Sequence, residues 1–288
     1  MSIVVTGATG QLGRLVVTEL LARVPARSVV AVVRDKAKAA DLAERGVELR
    51  VADYDEPETL AGVFAAGDRV LLISGHEIGR RVAQHTAVVT AAKAAGVAQL
   101  AYTGILGGPD AGLVLAEEHK GTEQAILDSG LPYTFLRNGW YTENYTANLA
   151  PVLAHGAVVA NAGEGRVASA ARADYAAAAA VVLTGPLDEH LGRAYELNGD
   201  VSWSFAEYAA EVARQSGQEI TYSDVPAATH LEILVGAGVP QPFAEILVDI
   251  DEAVARGELA ARGDDLARLI GRPTTPITET IKDALAAS

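Results

Sequence analysis

The first 35 residues constrain this chain more than any other stretch. Ser2-Ile3-Val4-Val5-Thr6 is a short apolar run rich in β-branched residues. It breaks into Gly7-Ala8-Thr9-Gly10-Gln11-Leu12-Gly13, after which Leu12, Leu15, Val16, Leu20 and Leu21 recur at helical spacing. A second run, Val29-Val30-Ala31-Val32-Val33, ends at Arg34-Asp35. A β-branched run that gives way to a 3.6-residue period across a glycine turn predicts strand, turn, helix, strand. This is the opening unit of a nucleotide-binding α/β sheet. Gly7 can leave the strand with positive φ. Gly10 lacks a Cβ, so a pyrophosphate can approach the backbone, and Gly13 lets the helix pack closely on the strand. The helix N-terminus then turns free N–H groups and the positive end of its dipole towards the phosphates. The spacing is G-x-x-G-x-x-G rather than G-x-G-x-x-G; its place between a strand and a helix makes it informative.

Strand–helix alternation continues. Helices are predicted over 36–45, 56–64, 81–95 (stopped by Gly96) and 115–129 (closed by Gly130). Strands are predicted over 47–52, 69–74, 100–103 and 133–137. Repeated β-α-β units require right-handed crossovers and a parallel sheet, and near-continuous apolar strands imply burial on both faces. The expected fold is α/β, a Rossmann-type doubly wound parallel sheet with a smaller, mostly helical C-terminal lobe. Residues 1–150 form the NAD(P)-binding domain. Residues 157–198 return to it, with short strands at 158–160, 167–168 and 194–197 and an Ala-rich helix capped by Asp174. Residues 199–288 form a lobe that covers the cofactor cleft and the substrate, with helices at 205–215, 227–236, 243–256 and 278–286 and a strand at 219–222.

Composition narrows the function classes. The 288 residues make one large domain or two unequal ones, and 50% apolar with 21% charged residues fits a soluble globular protein. A net charge of −14 without a Lys/Arg cluster argues against nucleic acid as partner. The chain has no cysteine, which excludes disulfides, thiolate catalysis and Fe–S clusters. The N-terminal apolar run is five residues long and reads as a strand rather than a signal peptide. No apolar stretch reaches the roughly 18 residues of a membrane span. A cytoplasmic protein is expected, and a homo-oligomer is compatible with the sequence. His76-Glu77 leads to Arg80, so there is no H-E-x-x-H and no metal is expected; neither a Walker lysine after Gly13 nor G-x-S-x-G is present.

The end of the second strand indicates which nucleotide. NAD-selective sheets of this kind carry Asp or Glu about 20 residues past the glycines, for the ribose 2′-OH. Here Arg34 stands there, with Lys36 and Lys38 nearby, so NADP(H) is favoured over NAD(H). Asp53 either accepts from the adenine amino group or caps the next helix. The chemistry is narrowed by what is missing: none of the nine tyrosines has Lys four residues on, Tyr102 meeting Leu106 and Tyr133 meeting Arg137. A redox cofactor site without a proton-transfer dyad suits an electron-poor, conjugated acceptor such as a quinone. The developing oxyanion of a quinone needs a hydrogen-bond donor more than a tuned base. Asn138, Tyr141 and His119 are the candidate donors, and Trp140 and Tyr141 can offer flat faces. Each has a plainer reading: Trp140 as packing, Asn138 as a turn cap, His119 with Glu123 as an i,i+4 surface pair. His85, His155, His190 and His230 read as structural or solvated.

Several motifs together carry a resemblance: residues 6–13, Arg34, Ala52-Asp53-Tyr54, Leu71-Leu72-Ile73-Ser74, Gln84-His85, residues 91–97, Ala101-Tyr102-Thr103, residues 136–145, residues 173–179 and Gly271-Arg272-Pro273-Thr274-Thr275. The chain resembles the NmrA-like atypical short-chain dehydrogenases/reductases, and within them the branch of bacterial type 2 NAD(P)H:quinone oxidoreductases. The most specific part is Arg137-Asn138-Gly139-Trp140-Tyr141-Thr142-Glu143-Asn144-Tyr145. The resemblance implies NADPH-dependent two-electron reduction of small quinones without flavin. It implies a cofactor cleft lined by Gly7, Ala8, Thr9, Gly10, Gln11, Leu12, Arg34, the strand end Ser74-Gly75-His76, and Asn138, Gly139, Trp140, Tyr141, Thr142 and Glu143, with Ser169 as a further contact. Ser74-Gly75-His76 is less serine-rich than that branch, which implies backbone contacts alone from Gly75. His119 aligns with the catalytic Lys of related plant ether reductases, a departure that leaves it as a proton donor or ribose contact. NmrA-like proteins can also be regulators, so the competing expectation is a non-catalytic NADP(H) sensor that binds a protein partner.

Overall fold

The computed structural model describes residues 1–147 and 149–287; Asn148 and Ser288, at the edges of the expected domains, lie outside them. The first half of the chain supplies β1 (Ile3–Val5), β2 (Val29–Val33), β3 (Glu48–Val51), β4 (Arg69–Leu72), β5 (Gln99–Ile105) and β6 (Tyr133–Asn138). Two short strands follow, β7 (Ala157–Ala160) and β8 (Arg166–Val167), before β9 (Arg193–Leu197). Seven strands form one sheet in the order β3-β2-β1-β4-β5-β6-β9, every pair parallel. The expectation of a Rossmann-type doubly wound parallel sheet is borne out.

Successive strand residues face opposite sides. Ile3, Val5, Ala31 and Leu71 are buried on one face with the helices Gln11–Leu21 and Arg172–Thr184. Val4, Val30, Val32, Val70 and Leu72 are buried on the other with Arg81–Ala95 and Ala116–Ser129. Each buried valine, leucine or isoleucine among them contributes about 1.5–3 kcal/mol through burial, which holds the strand ends, and so the crevice beyond them, in register. Gly96 and Gly130 close their helices in the left-handed region at φ 69° and 71°, as their positions predict.

Local structure departs from expectation at two places. The helix predicted over 56–64 is one 3-10 turn, Pro57–Leu60; Ala61 is extended and Gly62 has φ 75°, so the short apolar pattern is not continued by the backbone. Asp174 does not cap its helix. The helix begins at Arg172 with Ala171 at the N-cap, and Asp174 is fully buried inside the first turn. Its carboxylate accepts instead from Arg272 Nη2 (2.6 Å), Thr275 N (2.7 Å) and Thr275 Oγ1 (3.2 Å). It thereby ties residues 271–275 to the sheet's helical layer.

The C-terminal part builds a second core. β10 (Trp203–Ser204) pairs antiparallel with β8, and β11 (Thr221–Asp224) pairs parallel with β7. Trp203, Phe205, Tyr208, Ile250, Val254 and Ile281 are buried together there. Of the segment 157–198, residues 157–167 therefore pair with strands of the later segment, and residues 172–197 return to the large sheet. Leu266, from the helix Asp265–Ile270, is buried against the large sheet's core. Among the described residues, no helix is long and apolar enough to cross a membrane.

Candidate active site

The strand order reverses between β1 and β4, and ligands in open α/β sheets sit beyond the strands' carboxyl ends at such a switch point. A cleft of about 360 Å³ opens there. Gly7, Thr9, Gly10, Gln11 and Leu12 line it from the turn after β1, Arg34 from the end of β2, Asp53 from the end of β3, Ser74, Gly75 and His76 from beyond β4, and Tyr141 from beyond β6. The turn is built as its glycines suggest. Gly7 has φ 60°, its carbonyl accepts from Gly10 N at 3.0 Å, and a Cβ on Gly13 would lie 2.3 Å from that same carbonyl oxygen. Gly10 is the N-cap and no side chain caps it, so the first-turn N–H groups stay available to an anion. The residues present fit a dinucleotide pyrophosphate. Ala8 is fully buried and lies outside the cleft lining.

The edge beyond β4 has less to offer a ligand than its sequence suggests. Ile73 N donates to Thr6 Oγ1 (3.2 Å), Ser74 N to Thr103 Oγ1 (2.8 Å) and Gly75 N to His85 Nε2 (3.1 Å), while Gly75 O accepts from Arg81 Nε (2.7 Å). Gly75 thus spends its N–H and one acceptor position inside the protein, and the loop contributes shape. Because His85 Nε2 accepts, its proton sits on Nδ1 and is given to Thr122 Oγ1 at 2.9 Å. Burial, with a smaller push from the Arg81 charge, lowers His85 to about 3, so the ring stays neutral and the loop stays held. His85 is structural, as expected, and it supports the cleft wall.

His119 is not brought to the cleft. It is 9% exposed, its Nδ1 lies 2.8 Å from Tyr102 Oη, and burial lowers it to about 3. A neutral imidazole on that partner is a poor proton source. Asp53 lines the cleft, where an adenine would lie, but it does not cap the next helix: Glu56 is the N-cap there and no side chain caps it, while Asp53 Oδ1 accepts from Asp55 N at 3.1 Å and shapes the turn.

The block after β6 divides its labour. Asn138 ends the strand, is 6% exposed, and its Nδ2 donates to Tyr141 Oη at 3.1 Å. Burial raises the Tyr141 phenol above its usual range, with the Asn138 bond opposing; it is a neutral O–H. Since its oxygen already accepts from Asn138, its own proton is free for a third group in the cleft. Gly139 N donates to Leu197 O at 2.7 Å, and a Cβ there would meet that oxygen at 3.0 Å, so this glycine serves packing against β9. Trp140 packs on the second core. Thr142 Oγ1 and Ser169 Oγ lie 2.9 Å apart, and Trp203 Nε1 donates to Ser169 Oγ at 2.9 Å. Both serine and threonine are buried. Glu143 accepts from Arg172 N through both carboxylate oxygens, at 2.9 and 3.1 Å. It is the cap that the helix Arg172–Thr184 lacks in its own sequence.

Reasoning from sequence missed Tyr54, Glu77, Gln84 and Arg172, which also line the cleft. Arg172 stands over the Tyr141 ring, its Cζ 5.0 Å from the centroid, and Nη2 donates to Asn144 Oδ1 at 3.0 Å. Burial pushes the Tyr54 phenol up to about 12, beside Thr6 and the Gly7 backbone. Tyr54 directly follows Asp53 at the end of a predicted strand, whereas no local signal marks Arg172.

A family model described as the NmrA-like family matches residues 1–263. This chain belongs to the NmrA-like family. The NmrA-like chain is 45% identical over 279 residues to quinone oxidoreductase 2 of Escherichia coli strain K12, covering 97% of each. Its structure matches that of the Escherichia coli NADPH-dependent quinone oxidoreductase complexed with NADPH at a TM-score of 0.95, with 44% identity over 98% of this chain and 99% of that one. It matches the Citrobacter sp. triphenylmethane reductase complexed with NADP(H) at 0.93, with 43% identity over 98% and 100%.

Proposed function

We propose that this NmrA-like protein is an NADPH-dependent quinone reductase that reduces quinones to hydroquinones by direct hydride transfer, without flavin, in the cytoplasm. The observation that carries the reading is the placement of Tyr141, a neutral phenol with a free proton, in the same cleft as the glycine turn and Arg34. The likeness to a quinone reductase over nearly the whole of both chains supports it.

In this reading the helix N-terminus after Gly10 takes the pyrophosphate, and Arg34 takes the 2′-phosphate, a charge-assisted contact that favours NADP(H) over NAD(H). Bound NADPH supplies the hydride. Tyr141 donates its O–H to the quinone oxygen on which negative charge develops. Asn138 and Arg172 position it, the first by orienting the hydroxyl and the second by lying against the ring. The phenol's raised affinity for its proton keeps it a donor rather than a spent acid, and the proton that completes the hydroquinone comes from water. Gly139, Trp140, Thr142, Glu143 and Ser169 act through packing and capping. His119 is left without a part in proton transfer. Among the described residues no group of three or more metal-ligating side chains is found, and the proposed chemistry needs none.

The test is oxidation of NADPH and NADH against a panel of small quinones, with and without added flavin. Turnover that is faster with NADPH and indifferent to flavin supports the proposal. Tight NADPH binding without turnover on any quinone would replace it with the sensor reading.

A further inference from the structure

We infer that Glu77 sets how strongly this cleft prefers a 2′-phosphorylated nucleotide, because it occupies Arg34 before the nucleotide does; the inference rests on the NADP(H) reading above. Glu77 lies in the loop beyond β4 and lines the cleft beside Arg34. Its Oε1 is 3.4 Å from Arg34 Nη1, and its Oε2 is 3.3 Å from Arg80 Nη1. Gln84, 6% exposed, donates from Nε2 to the same Oε2 at 3.1 Å. A carboxylate is therefore seated between two guanidiniums and steadied from behind by a buried amide. Arg80 has a second acidic partner, Asp55, at 2.7 Å.

This arrangement has a different consequence for each ligand. A 2′-phosphate brings close to two negative charges to Arg34. It cannot share that guanidinium at contact distance with Glu77 without like-charge repulsion, so the Arg34–Glu77 pair must open. Arg80 and Gln84 remain as partners on which the displaced carboxylate can rest. A nucleotide with a free 2′-OH requires no such opening and can donate to the carboxylate. Glu77 thus lowers affinity for the phosphorylated ligand alone and narrows the discrimination that Arg34 creates. The Arg34 side chain is 60% exposed, which places the pair in the class worth about a two- to fivefold change in binding.

The test is calorimetric titration with adenosine 2′,5′-bisphosphate and with 5′-AMP, on wild type, Glu77→Gln, Arg34→Ala and the double variant. Neither probe carries nicotinamide, so the result does not depend on turnover. Glu77→Gln should tighten the bisphosphate two- to fivefold and leave 5′-AMP unchanged or weaker. The same substitution in the Arg34→Ala background should have no effect on the bisphosphate. An equal change for both probes, a loss of affinity for the bisphosphate, or an effect that persists without Arg34 would overturn the inference. A wild type that binds the two probes equally would instead sink the NADP(H) reading on which it rests.

Discussion

Replacing Tyr141 with Phe removes one oxygen and little else. The ring meets Tyr175 edge-on, with centroids 5.2 Å apart at 69°, and lies under Arg172; both contacts survive in phenylalanine. What is lost is the donor to the quinone oxygen. A hydrogen bond to a charged group is worth about 1.5–3 kcal/mol, and at 1.36 kcal/mol per decade this is roughly a 10- to 150-fold fall in kcat. The lower end is expected, since water can enter the cleft and substitute in part. The KM for NADPH should stay within about twofold, because the turn and Arg34 are untouched. Asn138 Nδ2 loses its acceptor, which should cost about 1 kcal/mol and lower Tm by roughly 2–4 °C in a chain of this size. Stopped-flow or steady-state NADPH oxidation with a saturating quinone, beside a thermal melt, separates the two effects. The pH profile adds a check: burial raises the Tyr141 pKa, so the donor is present below that pKa and lost only above it, and wild-type kcat should not fall through phenolate formation up to about pH 10. A Phe variant with kcat within twofold of wild type would remove Tyr141 from the chemistry.

Other expectations follow from the same geometry. Arg34→Ala should raise the KM for NADPH roughly 10- to 150-fold, the worth of one charge-assisted contact, and change that for NADH little; equal effects in steady-state kinetics would contradict the 2′-phosphate assignment. Asp174→Ala leaves Arg272 and Thr275 N without their buried acceptor. It should cost about 2 kcal/mol, or roughly 4–8 °C in Tm by calorimetry, and an unchanged Tm would show that residues 271–275 are held by other means. His85 and His119 are both lowered to about 3. The unfolded chain therefore takes up protons below about pH 6.5 that the folded chain refuses. Their contribution is fully present above that pH and is lost as pH falls towards 3, by about 1.4 kcal/mol per pH unit for each ring. Denaturant titrations between pH 6 and 4 should show that slope reduced by about one proton in His119→Asn, and an identical slope would refute it.

The sequence determined the local framework of this protein. The strand–turn–helix opening, the parallel alternation, the glycine caps at Gly96 and Gly130, and the cation at Arg34 could all be read from it. Each rests on contacts between near neighbours in the chain: a period of 2 or 3.6, a positive φ, a side chain at a strand's end. Ala8 and the 56–64 helix show the limit of that signal. A residue inside a recognised motif can point away from the ligand, and a short apolar pattern need not become a helix.

Tertiary structure alone decided the rest. Asp174 reads locally as an N-cap, yet its partners stand at Arg272 and Thr275. The true cap, Glu143, comes from 29 positions earlier in the chain. His119 reads as a candidate at the acceptor site and is instead buried on Tyr102, while Arg172, unmarked in sequence, stands over Tyr141. The backbone of Gly75 reads locally as available to a ligand, yet His85 and Arg81 hold it. Periodicity records which face of an element is apolar, but not which distant polar group meets it there. Those pairings are fixed only when the sheet brings the strand ends together and every buried donor and acceptor must find a partner.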